Sequence, residues 1–414
     1  MTAPVFGMTF SRPDDEPIPV LGADFSKALL IETSADADAT AFPLTDANNY
    51  VPVRISTSDA AMVAKLGTGA LRDAVNAINA QLSGLNAGGD VTILRVAEGA
   101  NAAATAATIA AALDPAKIAT IPSLVNATPR LVWAGRGAYR LDNETVGPVA
   151  AAYHPALERL LAVGVLDVDD TSTASAISAR ETLNSERIIP VGVAARVYEG
   201  EDIVTRAMGP RIIGLFMRID NANEGKPFNP IANRTIYGLA GLSRRIPFSL
   251  LDGSTEGQQL LESEVSIVVA GESGVDGAIA DGGFSFIGTD NTTTGELWKQ
   301  IHQVRGADYL TVKMMQITRP FFGRKISASM AEAWLTSIKF MLRDHKADED
   351  ILGYKVEFRA SKNSPEEIRM GRLTVNLNIE PAPAFKVAHH EVRRYRPAVE
   401  GLVADIIARL TAAA

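Results

Sequence analysis

Two hydrophobic periods alternate along most of the chain and predict an alternation of strands and helices. The apolar run at 28–31 has the length of a buried strand, whereas Leu71, Val75 and Ile78 recur at helical spacing and predict an amphipathic helix over 70–83. Strands that alternate with helices are typical of layered α/β proteins. The first three quarters of the chain are therefore predicted to be an α/β fold.

The same patterns extend this prediction through residue 290. Further strands are predicted at 51–55, 91–96, 131–133, 164–168, 188–193, 265–269 and 284–287. Further helices are predicted at 58–67, 101–113, 148–163, 173–185, 203–218 and 256–263. Pro190 indicates that its strand is interrupted or lies at a sheet edge, because proline cannot donate a ladder hydrogen bond. The stretch 220–255 is too rich in loop residues for a plain connection, so it is a functional loop or an insertion.

The last quarter of the chain has a different pattern. Helices are predicted at 296–304 and 327–346, and two stretches of strict alternation follow them. The apolar positions of these two half-buried strands are Tyr354, Val356, Phe358 and Leu373, Val375, Leu377, Ile379. Two strands alone leave unpaired edges, which foreign strands complete in β-augmentation.

Both chain ends combine a proline-rich break with a short alternating segment. Phe6, Met8 and Phe10 have the period of a strand, and the proline-rich, acidic stretch 12–19 then predicts an extended linker. We expect this strand to pair with another chain, although folding onto its own domain or disorder is the alternative.

The C-terminal end repeats this design. A proline break at 380–384 precedes Phe385, Val387 and His389, which again alternate, and a helix is predicted from Pro397 onwards. One stripe of that helix is apolar and contains Val399, Leu402, Val403, Ile406, Ile407 and Leu410.

Composition excludes several classes of protein. The 414 residues are 47% hydrophobic and 21% charged, which is typical of globular rather than disordered chains. Apolar stretches are shorter than the ~18 residues that a membrane span needs, and the first residues lack the basic and apolar segments of a secretory signal. Because the chain has no cysteine, disulfides, thiolate metal sites and cysteine nucleophiles are excluded.

Charge is unevenly distributed. Residues 1–298 contain 21 Lys/Arg and 35 Asp/Glu, a net charge of −14, whereas residues 299–414 contain 19 and 13, a net charge of +6. The acidic whole argues against binding to nucleic acid or to a membrane surface. The basic last quarter fits a complementary surface on another copy or on an acidic partner, and a random fluctuation of surface charge is the alternative.

Motifs that would support catalysis are incomplete. The stretch 271–275 lacks the second glycine of a nucleophile elbow, and 135–137 lacks the third glycine of a dinucleotide fingerprint. His389 and His390 are adjacent, so on a strand they point to opposite faces. Three aspartates fit either an acidic metal cluster or a solvated strand end: Asp167, Asp169 and Asp170. We therefore predict no catalytic, metal or cofactor-binding site and no cofactor.

Several short segments, in order, resemble the tail sheath proteins of contractile-tailed temperate phages. Residues 33–44, followed by 51–53, resemble the opening of these proteins, and 226–234 resembles their loop rich in proline, asparagine and arginine. Residues 283–288 resemble a glycine–aromatic motif near the start of their C-terminal domain, and 380–383 resembles the proline break before their C-terminal arm.

The chain also departs from the family pattern. Ile287 stands where the family often has tryptophan, and no arginine follows shortly after Gly288. An acidic residue often follows the proline break, but here Ala384 and Phe385 follow it. These departures affect individual contacts.

The resemblance implies a multi-domain α/β protein with a layered, subtilisin-like sheath core that lacks a catalytic triad, an α+β C-terminal domain and extended terminal arms. The implied segments are an N-terminal arm and linker (1–24), an N-terminal α/β region (25–113), a central core (114–290), a C-terminal domain with the receiving sheet (291–380) and a C-terminal arm (381–414). The sequence leaves open whether 114–290 is one domain or a core with an insertion.

The resemblance further implies a structural protein of the virion, assembled in the host cytoplasm, and not an enzyme. Its copies would stack as hexameric rings around a tail tube and contract for genome ejection, with baseplate and tail terminator proteins as further partners. Neither nucleic-acid binding nor membrane insertion is implied. The arm strands around Phe6, Met8, Phe10 and around Phe385, Val387, His389 would add to the sheets of neighbouring copies.

A basic helix end is a candidate for contact with the tube. The side chains concerned are Lys339, Arg343, His345 and Lys346. The alternative is that these side chains only stabilise the negative end of the helix dipole.

Two other functions are compatible with the sequence. One is a cytoplasmic α/β hydrolase-like enzyme with an unrecognised site, which would have a deep pocket with converging ionisable groups. The other is the sheath of a related contractile injection device, such as a tailocin, which the sequence alone does not distinguish from a phage sheath.

Overall fold

A computed structural model of the chain describes residues 23–46, 49–82, 88–135 and 147–412. The chain divides into two compact units, the first ending at Ala382 and the second beginning at Pro383. The predicted N-terminal arm strand, with Phe6, Met8 and Phe10, lies outside the described residues.

A six-stranded sheet forms the centre of the first unit. Its strands are β1 (Ala28–Thr33), β2 (Val53–Ser56), β3 (Asp90–Val96), β4 (Leu131–Ala134), β5 (Val163–Asp167) and β6 (Ile188–Val191). They are arranged in the order β2–β3–β1–β4–β5–β6, and β2 runs antiparallel to β3 while the other pairs are parallel. The apolar run of β1 is fully buried, as expected for a strand whose two faces are both covered. β6, which contains Pro190, is the outermost strand, as predicted.

Helices cover this sheet. They are α1 (Ala60–Ala64), α2 (Ala70–Leu82), α3 (Ala102–Ala112), α4 (Pro115–Ile118), α5 (Ile121–Val125), α6 (Pro148–Leu160), α7 (Thr173–Glu181), α8 (Gly209–Ala222) and α9 (Glu256–Glu262). α2 packs on α8 and α3 packs on α6. The first helix begins at Ala60 and ends at Ala64 rather than spanning 58–67, and Asp59 caps its start by accepting a hydrogen bond from the Met62 amide at 3.1 Å.

Two three-stranded sheets are formed by strands that follow β6 along the chain. Their strands are β7 (Ala195–Glu199), β8 (Asp202–Arg206), β9 (Arg234–Thr235), β10 (Gly241–Leu242), β11 (Ile267–Ala270) and β12 (Phe284–Ile287). One sheet has the order β10–β7–β8 and the other β11–β12–β9. The stretch predicted to be loop-rich, 220–255, contains β9 and β10 and buries Phe228, Ile231 and Ile246. It is therefore a packed part of the first unit.

The predicted helix over 203–218 was wrong in its first half. Residues 202–206 form β8, which pairs antiparallel with β7 across a turn where Gly200 has φ 65°. The helix starts at Gly209, because Pro210 is tolerated only in the first helical turn. The Asp167 carboxylate fixes this start by accepting hydrogen bonds from the amides of Met208 (2.8 Å) and Gly209 (2.9 Å).

The predicted helix over 296–304 was wrong at both ends. The helix α10 (Ile301–Thr318) begins five residues later and extends well beyond 304. A loop precedes it, held by the buried Asn291, whose side-chain amide donates to the carbonyl oxygens of Glu186 (2.9 Å) and Trp298 (2.7 Å). Sequence periodicity does not reveal such a cross-chain polar contact.

The last part of the first unit contains its own small sheet. It comprises α10, α11 (Ala328–Ala347), β13 (Ile351–Glu357), α12 (Pro365–Arg369) and β14 (Asn376–Pro381), with β13 antiparallel to β14. A second hydrophobic cluster lies here, in which Phe25 and Phe228 from the first part of the chain pack with Tyr309, Ile338 and Leu342.

The second unit begins at Pro383. Residues 382–395 form no helix or strand, and α13 (Arg396–Ala412) follows. Every residue from Phe385 to Ala412 is exposed. Among the helices in the described part of the chain, none combines the length and apolar character required to cross a bilayer.

Candidate assembly interface

Four of the seven residues predicted to receive foreign strands belong to a sheet that has two strands among the described residues. In β13 and β14, Tyr354 lies opposite Ile379 and Val356 lies opposite Leu377. These four side chains face the same side, since side chains alternate along a strand. They contact the cluster that contains Ile338 on α11.

This apolar face is only partly covered. Tyr354, Val356, Leu377 and Ile379 are all partly buried, although they pack against a buried cluster. Among the described residues the sheet has two outer edges, at which the backbone groups of β13 and β14 have no strand partner. The geometry therefore suits the addition of further strands.

Three residues of the predicted receiving sheet lie outside its strands. Phe358 follows the end of β13 and is 43% exposed, and Leu373 and Val375 precede β14. Leu373 and Val375 lie outside β14 because the buried Asn363 fixes the loop that connects the two strands. Its side chain donates to the carbonyl oxygen of Thr374 and accepts from the Thr374 amide at 2.7 Å, which delays the start of β14.

The prediction that His345 belongs to a tube-facing surface is corrected by its burial. The His345 ring is 6% exposed, its Nδ1 lies 2.7 Å from Asp350 Oδ2, and its ring packs against those of Phe228 and Tyr309. It therefore fixes the turn between α11 and β13 rather than meeting a partner.

The three other predicted basic residues are on the surface. Lys339, Arg343 and Lys346 are exposed near the C-terminal end of α11. Arg343 lies 2.9 Å from Asp344 and its guanidinium stacks on the Phe340 ring at 4.9 Å. These side chains are accessible to a partner, and contact with a tube stays a prediction.

A salt bridge connects the loop before β9 to the base of the two-stranded sheet. Lys226 Nζ lies 2.9 Å from Asp348 Oδ2, and this contact raises the pKa of Lys226 and lowers that of Asp348. Asp348 lies close to His345 and Asp350, and these three residues could ligate a cation. The Lys226 ammonium is already paired with Asp348, which disfavours binding of a cation by this carboxylate.

Two buried ion pairs fasten α10 to the body that contains the six-stranded sheet. Arg305 lies 3.1 Å from Asp220 on α8 and also donates to the Phe25 carbonyl oxygen, and Arg187 lies 3.1 Å from Asp308. Burial raises the pKa of Asp220 to about 6 despite the neighbouring guanidinium. The sequence analysis missed these pairs, although Arg305 and Asp308 fall on the same helical stripe as the buried Val304, which is a signal for them.

The predicted C-terminal arm residues are on the surface of the second unit. Phe385 is 87% exposed, Val387 is 65% exposed, and His389 is exposed. They do not belong to a strand in the single chain. The predicted period-two strand is thus not formed within one copy.

Asp167, one of the three aspartates considered for metal binding, has a structural role. Asp167 is buried, and besides two backbone amides it accepts a hydrogen bond from Trp133 Nε1 at 2.8 Å. A cleft of about 300 Å³ lies beside the start of α2 and the β7–β8 hairpin. Its acidic residues Asp73 and Glu199 are paired with Arg211 and Arg206, so they do not converge as free acid–base groups.

The chain is similar to known sheath proteins in sequence. No model of a known protein family matches the chain. A curated prophage major tail sheath protein of Pseudomonas aeruginosa (strain UCBPP-PA14) is 23% identical over 264 residues, which are 63% of this chain. The match spans 64% of the length of that relative.

Solved structures extend the similarity to nearly the whole fold. The contracted helical sheath of the anti-feeding prophage (AFP) matches with a TM-score of 0.64 at 14% identity, over 95% of this chain and 100% of that one. The contracted sheath complex of an extracellular contractile injection system (PVC) gives 0.62 at 12% identity, over 95% and 100%. A chain of the AFP baseplate structure gives 0.63 at 12% identity, over 94% and 100%. The chain is thus similar in sequence to a prophage tail sheath protein and shares the fold of contractile sheath structures, in agreement with the family that its motifs resemble.

Proposed function

We propose that the chain is the structural subunit of a contractile sheath, and that its copies polymerise as stacked hexameric rings around a tail tube. Contraction of this lattice would drive the tube through the host envelope. The proposal is supported by the named sheath relatives and by the sheath fold. Its partners would be further copies of itself, the tube protein, and baseplate and terminator proteins.

The observation that carries the proposal is the two-stranded sheet β13–β14. Its apolar face is only partly covered, and a short apolar segment with Phe385 and Val387 is exposed in the same chain. The proposed arms, 1–24 and 381–414, would each add a strand to this sheet in a neighbouring copy. Each added main-chain hydrogen bond contributes ~0.5–1.5 kcal/mol net, so a five-residue strand contributes a few kcal/mol, multiplied by the many contacts of a lattice.

The buried ion pairs of α10 fit the same proposal. The ion pairs Arg305–Asp220 and Arg187–Asp308 couple the two-stranded sheet to the rest of the first unit. Force applied through an arm would therefore be transmitted to the whole unit. We infer that motion during contraction is concentrated in the arms.

We also infer a non-enzymatic role and a location in a phage tail or a related extracellular particle, assembled in the cytoplasm of the producing cell. The sheath relatives support this inference, and a tailocin-like device is equally compatible with them. The proposed segment boundaries, the subtilisin-like character of the core and the tube contact of Lys339, Arg343 and Lys346 belong to the same proposal.

Negative-stain electron microscopy of the purified chain tests the function. We expect rings or long tubes. A protein that stays a small soluble oligomer at all concentrations, and that turns over a small substrate, would support the hydrolase alternative instead.

A further inference from the structure

A groove beside the helices α10 and α11 has apolar walls that are open to solvent. It encloses about 330 Å³ and is lined by Tyr309 and Ile317 of α10 and by Met341 of α11. Ile317 and Met341 are only partly buried, although both pack against the cluster that contains Phe25. A volume of this size lies at the lower end of the range of ligand clefts, so this α10–α11 groove has room for a few apolar side chains.

One cation at the α10–α11 groove has no acidic partner among the described residues. The Lys313 ammonium lies 5.7 Å from the centre of the Tyr309 ring, and burial together with the nearby Lys226 lowers the pKa of Lys313. The other charged groups that line the groove are already paired: Asp344 with Arg343, Asp348 with Lys226, and His345 with Asp350. An additional anion would therefore find its counter-charge at Lys313.

The segment of the chain that precedes Ala23 has the matching chemistry. Residues 14–16 are Asp-Asp-Glu, and residues 17–21 are Pro-Ile-Pro-Val-Leu. The two prolines favour an extended backbone, which loses little conformational entropy when it binds. Extended proline-rich segments commonly bind grooves with aromatic walls. Residues 14–21 thus combine apolar side chains for the groove with acidic side chains for its unpaired cation.

The described part of the chain begins close to the groove. Ala23 packs against the same hydrophobic cluster, and the ring centre of Phe25 lies 5.4 Å from that of Tyr309. The five residues from Ala23 back to Ile18 span at most ~18 Å, and the seven residues back to Glu16 span at most ~25 Å. Both the apolar and the acidic part of the segment can therefore reach the groove of their own copy.

We infer that residues 17–21 bind in the α10–α11 groove of their own copy, with the acidic residues 14–16 beside Lys313. The same copy is favoured because a short tether gives an effective concentration in the millimolar range. The binding itself does not depend on the proposed function, but its consequence does. The strand around 6–10 stays available to a neighbouring copy, and binding of 17–21 sets the point on the surface from which that strand departs.

A pair of engineered cysteines in the full chain tests this contact. The chain has no cysteine of its own, so Val20→Cys combined with Met341→Cys introduces only two thiols. The matched control combines Val20→Cys with Lys339→Cys, which lies two residues away and ~200° around the same helix. Position 339 is exposed whereas position 341 is partly buried, so a segment that does not bind in the groove would react at least as fast with position 339.

The rate of disulfide formation is the measurement. In the dissociated subunit treated with glutathione disulfide, we expect Val20→Cys/Met341→Cys to form an intramolecular disulfide at least about tenfold faster than the control pair, because binding raises the local thiol concentration. Non-reducing electrophoresis and peptide mass spectrometry follow the reaction. Equal rates for the two pairs, or disulfides that join two chains, would overturn the inference.

Ile317→Cys provides a second reporter on the wall formed by α10. It replaces Met341→Cys if that substitution lowers the melting temperature of the subunit, and it should show the same preference over Lys339→Cys. If neither groove position reacts faster than position 339, residues 17–21 do not bind in the groove.

A second matched pair tests the ionic part of the contact. Lys313→Gln, added to Val20→Cys/Met341→Cys, should slow disulfide formation about threefold, as expected for loss of one partly exposed ion pair. Arg319→Gln removes an exposed cation near the end of the same helix and should leave the rate unchanged. Equal rates for the two glutamine variants would show that the acidic residues do not lie beside Lys313.

These outcomes are distinct from the outcome for the proposed function. The disulfide rates are measured in the dissociated subunit, so they decide the contact even if the wild type forms no tubes and the sheath function fails. If tubes form but the two disulfide rates are equal, the sheath function stands and the contact of 17–21 is wrong.

Discussion

The six-stranded central sheet and the two-stranded β13–β14 sheet differ in how far their strands are paired and covered within one copy. In the central sheet, β1 is buried on both faces and is paired on both sides, by β3 and β4. In the β13–β14 sheet, the apolar residues are only partly buried and each strand is paired on one side among the described residues. The inner strands of the central sheet are thus paired and covered within one copy, and we propose that the β13–β14 sheet is completed by assembly.

This difference indicates which region determines folding stability and which region determines assembly. The central sheet and its helices provide a folded body, and the ion pairs of Arg305 and Asp308 attach the unfinished sheet to it. Among the described residues, ten of the 28 exposed large apolar side chains lie in the last 32 residues, and Leu352 and Phe358 lie in or beside β13. Changes in the first region should therefore affect folding, and changes in the second should affect assembly.

Deleting residues 1–12 should have the largest effect on assembly, because it removes the proposed arm strand with Phe6, Met8 and Phe10. We expect a subunit that is folded but does not polymerise, as judged by circular dichroism and negative-stain microscopy. A truncated protein that forms normal tubes would refute the role of the N-terminal arm.

Val387→Pro should have nearly the same effect from the other end of the chain. Proline removes the amide that a ladder hydrogen bond needs and is excluded from paired strand interiors. Sedimentation should show loss of polymer, with an unchanged melting temperature of the dissociated subunit.

Val387→Thr is the control for this change. It keeps the amide and the β-branched shape, so polymers should persist at slightly weaker affinity. Unchanged tubes with the proline variant would show that 385–389 does not pair as a strand.

Asp220→Asn should destabilise the folded body, since it leaves the buried Arg305 without its charged partner. We expect a loss of about 3–5 kcal/mol in the free energy of unfolding, measured by urea denaturation of the dissociated subunit. A loss below about 1 kcal/mol would mean that this pair does not fasten α10.

The pH dependence of the same pair provides an independent check. The pKa of Asp220 is raised to about 6 in the folded protein from its ordinary 3.8, so the native state binds more protons than the unfolded state between these values. The contribution of this group to stability therefore falls as pH rises from 3.8 to 6. The unfolding free energy of the wild type should therefore contain a component that decreases as pH rises across that range, and this component should be absent from Asp220→Asn, whose side chain does not titrate.

A matched pair of valine truncations should give the smallest effects and compare the two sheets directly. Val91 is fully buried in β3, and Val356 is partly buried in β13. Val91→Ala should cost about 2–3 kcal/mol of folding stability in the dissociated subunit, and Val356→Ala about 1 kcal/mol. Val356→Ala should instead raise the concentration required for assembly. Equal losses of stability would contradict the distinction between the sheets.

Hydrophobic periodicity was sufficient to predict most of the central sheet. β1, β3 and β4 are short apolar runs, and α2 has an apolar stripe at regular helical spacing, so local pattern and tertiary environment agree. The β7–β8 hairpin was missed because Val204 and the apolar residues that follow also fit a helical period, and only Gly200 and Pro210 mark the change.

The remaining wrong predictions involve polar side chains whose hydrogen-bond partners are not their neighbours in the sequence. Asn291 and Asn363 each bond backbone groups across a loop, and they set where α10 and β14 begin. Likewise, His345 was expected on a surface because it stands among basic residues, but Asp350 and two aromatic rings bury it. The pattern of apolar residues contains no information about such partners.

The sequence did predict which part of the candidate interface is strand-forming, since Tyr354, Val356, Leu377 and Ile379 all lie in β13 and β14. Whether these strands receive foreign strands is a property of the assembled particle. A single chain, in sequence or in structure, contains only one side of that contact.

A cryo-electron microscopy map of the assembled particle, at a resolution that traces the main chain, measures that contact directly. Our account predicts a third and a fourth strand in the β13–β14 sheet, contributed by 1–24 and 381–414 of other copies. A two-stranded β13–β14 sheet in the assembled particle, with both termini folded onto their own copy, would contradict it.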